Sequence, residues 1–263
     1  MELGDALSLA QISTSMLFLL VLGIEDFKSR ELNSKVVYSY LVVGLVLYTV
    51  TLITARNLVE VIVHTVFTLI VSPGVFLVLY KYGLTGDGDV YVSLSLGLTL
   101  YHPVAYKATL ARQGVLSPAL VTVLYASLTA TLYTLIQGVL SAARYRVLLK
   151  QVPLRYRVLL VLTARPVKAG EYCENPKYKH YYPIQVFKPT DQGLQVEFNL
   201  SRLSDTSRIE ILELVEKGVV PRDFVLWVTP GLPYVFYMLI GLLLTILLGD
   251  KPMYYLLTKL LGF

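Results

Sequence analysis

The sequence predicts an α-helical polytopic membrane protein: six transmembrane helices, with a small α+β cytoplasmic domain inserted between helices five and six. Three observations predict it. Of the 263 residues, 55% are hydrophobic and 16% charged, against roughly 25% charged in soluble domains, and mean hydropathy is +0.62. The apolar residues gather into runs close to the ~20 that a helix needs to cross a ~30 Å hydrocarbon core. Most charges gather instead in one segment between two such runs. A soluble globular fold is excluded. Cys173, the single cysteine, also excludes an internal disulfide and a CxxC metal site.

In chain order the apolar runs are Leu7 to Ile24, Lys35 to Thr54, Leu58 to Tyr80, Val90 to Ala105, Pro118 to Ala142 and Leu232 to Leu248. The first is read as a helix and not a signal peptide, because the residues before it carry Glu2 and Asp5 and no basic residue. Asn33 or Ser34 is placed to cap the second. Ser72-Pro73-Gly74 is expected to kink the third. The chain therefore divides into a membrane domain over residues 1–144, a soluble domain over 145–229, and a last span with its tail over 230–263.

Within the soluble segment, Arg155 to Leu162 and Pro183 to Leu200 read as β-rich. The turn signal Asp191-Gln192-Gly193 makes the second piece a hairpin. Ser204-Asp205 supplies an N-cap for a helix from Thr206 to Lys217, with Gly218 as its stop.

Basic residues fix the expected orientation, since loops on the cytoplasmic side carry the excess of Lys and Arg. Eighteen of the twenty-three fall on the side reached after spans one, three and five. The N-terminus is thus expected outside and the soluble domain inside. The same placement accounts for the net charge of +5 through membrane edges and one polar segment, so no nucleic-acid partner is expected and membrane lipid is the surrounding phase.

Ionisable groups at membrane depth are costly and are the first functional suspects. Asp26 ends span one, and Asp87 and Asp89 open span four. Two crossings separate Asp26 from Asp89, which returns the chain to the same, cytoplasmic, edge. Two carboxylates sharing a partly dry site do not both ionise easily, so one holds a proton while the other acts as base. That combination hydrolyses an amide. The structural alternative is that Asp87 or Asp89 caps span four and Asp26 pairs with Lys28 or Arg30 at the headgroups.

Asp89 closes the sequence Gly86-Asp87-Gly88-Asp89, whose glycines permit a turn barred to other residues and a close approach by substrate. This GxGD at the mouth of a membrane helix resembles the GxGD intramembrane aspartic proteases. Asp26-Phe27-Lys28-Ser29-Arg30-Glu31-Leu32-Asn33 is similar to the run after the first span of type IV prepilin peptidases, and the archaeal preflagellin (archaellin) peptidases fit best. The resemblance covers Leu7 to Ala105 and, more loosely, Trp227 to Pro233. It implies an aspartic endopeptidase that removes the short basic leader from archaellin or type IV pilin-like precursors at the cytoplasmic face of the cell membrane. Asp26 and Asp89 would be the catalytic pair, Gly86 and Gly88 would shape the active-site loop, and no cofactor or metal is implied. Lacking the cysteine-bearing zinc loop of bacterial relatives, the chain is expected to have no N-methyltransferase activity.

Two rival readings are an ion- or proton-coupled transporter using the edge carboxylates and an anchor presenting the soluble domain as a binding module. Glu60 and His64, four apart, share a helix face that could bind a metal, but a third ligand is missing. His64, His102, His180 and Cys173 are too scattered in sequence to suggest a metal site.

Overall fold

In the computed structural model, residues 3–55, 57–81, 85–150, 152–190, 193–198 and 205–261 are described. The helices are α1 (Leu3–Ser29), α2 (Ser34–Thr54), α3 (Leu58–Lys81), α4 (Asp87–Thr99), α5 (Pro118–Arg144), α6 (Arg146–Lys150), α7 (Leu154–Thr163), α8 (Ala169–Glu174), α9 (Asp205–Glu216), α10 (Tyr234–Leu248) and α11 (Lys251–Leu261). The strands are β1 (Arg165–Lys168), β2 (Tyr181–Pro183), β3 (Gln185–Thr190), β4 (Gly193–Phe198) and β5 (Val225–Pro230). Two compact units result: Met1–Ala130 with Pro233–Phe263, and Thr131–Leu232.

Helices α1, α2 and α3 of the first unit, and α5, which begins in it, are long and apolar enough to cross a membrane. The other two expected spans are shorter helices. With 13 and 15 residues, α4 and α10 are only about 20 and 22 Å long at 1.5 Å per residue. The cause is local in each case. Expected to continue to Ala105, α4 stops because His102 precedes Pro103, a position that disfavours helical backbone. His102 is extended (φ −117°, ψ 138°) and N-caps a 3₁₀ turn over Pro103–Ala108. In α10, Pro233 stands at the N-cap, and Gly249 at φ 68° ends the helix.

Short helices suit the interior. The buried positions of α4 include Val92, Ser93, Ser95, Leu96, Gly97 and Thr99, and the helix packs against α2 and α3 while α1 packs along α10. The core joins Leu19 and Leu22 of α1, Tyr40 of α2, Phe76 of α3, Leu96 of α4 and Val235, Met238 and Leu242 of α10. Because lipid is as apolar as leucine, close packing and polar pairs replace the hydrophobic drive between membrane helices. Ser72 and Ser93 meet at 3.0 Å, Thr122 and Thr245 at 3.2 Å, and the Thr68 hydroxyl donates to Ser117 Oγ at 2.8 Å. Helix α3 continues through Pro73 as a single helix.

In the second unit, β5 is the central strand of an antiparallel sheet ordered β1-β5-β2, with Arg165 opposite Val228 and Tyr181 opposite Pro230. Pro166 and Pro183 sit on the two outer strands, where a missing N–H is tolerated. Strand β5 is buried on both faces, as its unbroken apolar run requires. Leu226 and Val228 join Tyr172, Phe187, Ile211 and Val215. Trp227 points the other way, into Leu160, Ala164 and Ile184.

The expected hairpin is present as β3–β4, Gln185 opposite Phe198 and Thr190 opposite Gly193. Helix α9 also forms where expected, and Gly218 follows it at φ 72°; Ser204 lies outside the described residues. The β reading of Arg155 to Leu162 is corrected: this segment lies in α7, led by Pro153 and ending at Ala164, and buries Leu160 beside Trp227.

Trp227 is the one tryptophan of the chain, so its emission reports this cluster alone. Leu160→Ala or Ile184→Ala is expected to cost about 2 to 5 kcal/mol, the usual range for emptying a buried aliphatic site. A urea titration followed by Trp227 emission checks this. A midpoint equal to that of the unsubstituted protein would mean that the cluster does not hold the unit together.

Candidate active site

Helix α1 runs through Asp26 and ends at Ser29; Arg30 then takes a left-handed conformation (φ 56°), its N–H donating to the Asp26 carbonyl at 3.1 Å. The turn that follows is tied back on itself. Asn33 N–H donates to Glu25 Oε2 at 3.2 Å, and Asn33 Oδ1 accepts from Lys35 N–H at 3.0 Å, capping α2 as expected.

Asp26 itself is 6% exposed. Its Oδ2 accepts from Val235 N–H at 2.9 Å and, more weakly, from Phe236 N–H at 3.4 Å. These are first-turn amides of α10, which lack partners within their own helix and present the positive end of its dipole. Gly23, one turn before Asp26, permits the approach: a Cβ there would stand 3.3 Å from Phe236 Cα. Phe27 adds a ring contact with Phe236, centroids 4.9 Å apart. The alternative in which Asp26 serves to pair with Lys28 or Arg30 is thus not the main contact of its carboxylate, although the Arg30 charge lies within electrostatic reach.

Asp89 occupies the first turn of α4, and its Oδ2 accepts from Gly86 N–H at 3.2 Å. The capping role weighed for this residue is therefore real. It does not exhaust the residue, because Asp89 interacts electrostatically with both Asp26 and Tyr234. Tyr234 Oη lies 2.6 Å from Ser127 Oγ, and its ring packs edge-on to Phe76 at 5.0 Å. The Tyr234 hydroxyl thus lies within electrostatic reach of Asp89, while the next two amides along the chain hold Asp26. Asp87 is exposed, with its carboxylate turned back to Gly88 N–H at 2.8 Å.

The two glycines do not serve a turn barred to other residues. Neither Gly86 nor Gly88 has a left-handed backbone; Gly86 is extended at φ −81°, ψ 163°. A Cβ on Gly86 would meet nothing nearer than Gly88 N at 4.0 Å, whereas one on Gly88 would stand 2.7 Å from Leu32 Cδ1. Gly88 therefore makes room for Leu32, from the turn after α1, and not for a backbone conformation. Leu32 lies in the same run as Asp26, so one short segment supplies a carboxylate, a packing partner for α4 and the cap of α2.

Sequence reasoning missed Val235 and Tyr234, because a hydrogen bond between residues 209 apart leaves no local signal. A trace did exist in Pro233, a residue suited to starting a helix. Sequence reasoning also left Glu60 and His64 without a third ligand. His102 joins them, the three offering ligand atoms within 4.8 Å of one another. They lie at the other end of α3 and α4 from the aspartates.

Fold and site together define a polytopic membrane protein in which two short helices begin at a pair of carboxylates. The chain belongs to the type IV leader peptidase family. The family model of that description matches residues 14–135, which include Asp26 and Asp89, and a second, archaeal peptidase A24 C-terminus type II, matches residues 156–251. It is therefore a protease of the prepilin and preflagellin peptidase family, whose substrates are pilin-like precursors in general. A search among curated proteins finds no match.

Gly88→Ala is expected to reduce leader cleavage by about 5-fold or more, since overpacking typically costs about 1 to 3 kcal/mol, and a second change, Leu32→Ala, should restore most of it. Gly86→Ala should stay within about 2-fold of the parent enzyme, a change below 0.5 kcal/mol. Timed cleavage of a precursor peptide by the purified variants measures both. Equal losses at the two glycines would refute the Leu32 contact as the reason for Gly88.

Proposed function

We propose that the protein is an aspartic endopeptidase that removes the short basic leader of archaellin or pilin-like precursors at the cytoplasmic membrane face. The observation that carries the reading is that Asp26 and Asp89, two carboxylates from different helices at the mouths of α10 and α4, lie close enough to influence each other electrostatically. One carboxylate takes a proton from water as its oxygen attacks the scissile carbonyl carbon. The other, protonated, hydrogen-bonds the carbonyl oxygen as negative charge grows there. The proton of this second carboxylate then passes to the amide nitrogen, the C–N bond breaks as the carbonyl re-forms, and the pair has exchanged roles.

Several features support this chemistry over transport. Both acids lie at helix ends, whereas a proton or ion relay would use acids near mid-membrane. The amides of Val235 and Phe236 hold one oxygen of Asp26 in place, which is the rigid support that positional catalysis needs. Asp87, exposed beside Asp89, suits contact with a basic leader. Residues 1–144 and 230–263 form the catalytic membrane domain in this reading and 145–229 a cytoplasmic domain. Having one cysteine, the chain lacks the zinc loop of relatives that also methylate, and N-methyl transfer is not part of its activity.

Asp26→Asn and Asp89→Asn should each reduce cleavage by 100-fold or more, the order expected for lost acid–base work, while Asp87→Asn keeps most of the activity. The wild-type rate should follow a bell-shaped pH profile whose limbs belong to the coupled pair, and EDTA should leave it unchanged. The assay is one cut at the leader end of a synthetic precursor. Near-normal cleavage by the Asp26 or Asp89 variant would remove that residue from the mechanism.

The orientation is tested separately, in a Cys173→Ser background in intact cells. A single cysteine at Ser34 should resist an impermeant maleimide, and one at Asn57 should label. The reverse pattern would put the aspartates outside and end the leader-cleavage reading.

A further inference from the structure

The geometry points to a divalent transition-metal site, of the zinc class, built from Glu60, His64 and His102 at the end of α3 and α4 remote from the aspartates. From Asp89 to the end of α4 at Thr99 the rise is about 15 Å at 1.5 Å per residue, and His102 lies in the extended link beyond it, so this site is separate from the proposed hydrolytic one. Its ligand types are those of a three-ligand zinc site with a fourth position left open.

The three residues come together for structural reasons. Glu60 and His64 stand one turn apart on α3 and share a face. His102 arrives from the extended link between α4 and the turn over Pro103–Ala108, its ring edge-on to that of His64 with centroids 4.6 Å apart. His102 Nε2 faces Glu60 Oε1 at 3.4 Å, too loosely aligned for a hydrogen bond, and the nitrogen is otherwise buried without a hydrogen-bond partner. Asn57 Nδ2 donates to Glu60 Oε2 at 3.2 Å and so orients the carboxylate, the kind of outer support that metal ligands use. Glu60 is half exposed, which gives an ion a way in.

The ligand atoms lie within 4.8 Å of one another, against about 3.4 Å across a tetrahedral zinc site with ~2.1 Å bonds, so small side-chain rotations close the site. One bond must be given up. His102 Nδ1 accepts from Val104 N–H at 3.0 Å, which puts the ring hydrogen on Nε2 when no metal is present. Coordination through Nε2 moves that hydrogen to Nδ1 and releases the Val104 amide. Metal binding and the cap of the 103–108 turn are therefore alternatives, and the bound ion would clamp α3 to the link after α4.

The test uses the full chain in detergent, purified through a tag without histidine and stripped of metal. Zinc titrated against a chromogenic chelator should show one tight equivalent. Cobalt at the same stoichiometry should give the visible absorption of a tetrahedral centre. Glu60→Gln, His64→Ala and His102→Ala should each weaken zinc binding about 10-fold or more. His180→Ala and Cys173→Ser should leave it unchanged. Zinc should also raise the midpoint of the helical circular-dichroism melt of the parent protein, by mass action, and not that of the three variants. Their metal-free melts, if cooperative, establish that they are folded; should an alanine variant not fold, His64→Gln or His102→Gln takes its place. Absence of a stoichiometric zinc equivalent, or binding that survives any one of the three substitutions, overturns the site. Because the two sites are distinct, Asp26→Asn should bind zinc normally whatever becomes of its cleavage activity.

Discussion

The hydrogen bonds from the first amides of α10 to Asp26 organise the membrane unit. A carboxylate at 6% exposure inside an apolar bundle is costly unless its oxygens find donors. The first turn of a helix has the complementary deficit, N–H groups without acceptors. Each need meets the other at Val235 and Phe236, joining α1 to α10 across 209 residues of sequence. Starting α10 at Tyr234 is part of the same solution. The chain reaches the carboxylate through Gly231-Leu232-Pro233, and Pro233 at the N-cap position costs no helical hydrogen bond because its N–H would have gone unused.

Around that contact the bundle is built to bring backbones close. Helix α4 is flanked by α2 and α3 and carries serine, glycine and threonine on its buried positions. Gly44 of α2 faces Ser95 and Thr99 so closely that a Cβ would stand 3.0 Å from the Thr99 hydroxyl. Inter-helix hydrogen bonds such as Ser72–Ser93 contribute roughly 0.6 kcal/mol each on average in membrane bundles. That is little per bond, but each fixes a rotation of one helix against another. Rotation is what the site depends on, since it decides which residues of the first turn of α4 look inward.

Much of this was legible in the sequence because it is local. The long apolar runs, the Asn33 cap, the β3–β4 hairpin and the Gly218 stop each rest on residues within one turn or one loop. The aspartates stood out because charge is scarce in such a chain. What was missed depends on distant partners. No strand was expected at β5 because an unbroken apolar run carries no period by itself; only the neighbours on both its faces make it a strand. The segment in α7 read as β from its β-rich composition, while burial of Leu160 against Trp227 decided for helix. The lengths of α4 and α10 were overestimated because hydropathy continues past Thr99 and begins before Tyr234, whereas backbone geometry at His102-Pro103 and Pro233 does not. His102 shows the limit most plainly, since its nearness to Glu60 and His64 comes from the return of α4 beside α3.

Asp87 and Asp89 put the same distinction on the scale of one turn. The two have the same chemistry and nearly the same place in the sequence, and composition cannot choose between them. Helical geometry can, because positions i and i+2 are about 200° apart around the axis and cannot face one neighbour together. Once packing against Leu32 fixes the rotation of α4 at Gly88, one acid must face the bundle and the other must leave it. The inward acid is Asp89, whose field reaches Asp26 and Tyr234. The outward one is Asp87, exposed and satisfied by the amide of its own neighbour. A one-residue change in where α4 begins would undo the inward placement of Asp89, so the position of the helix start, and not only the identity of its acids, is what the GxGD segment has to secure.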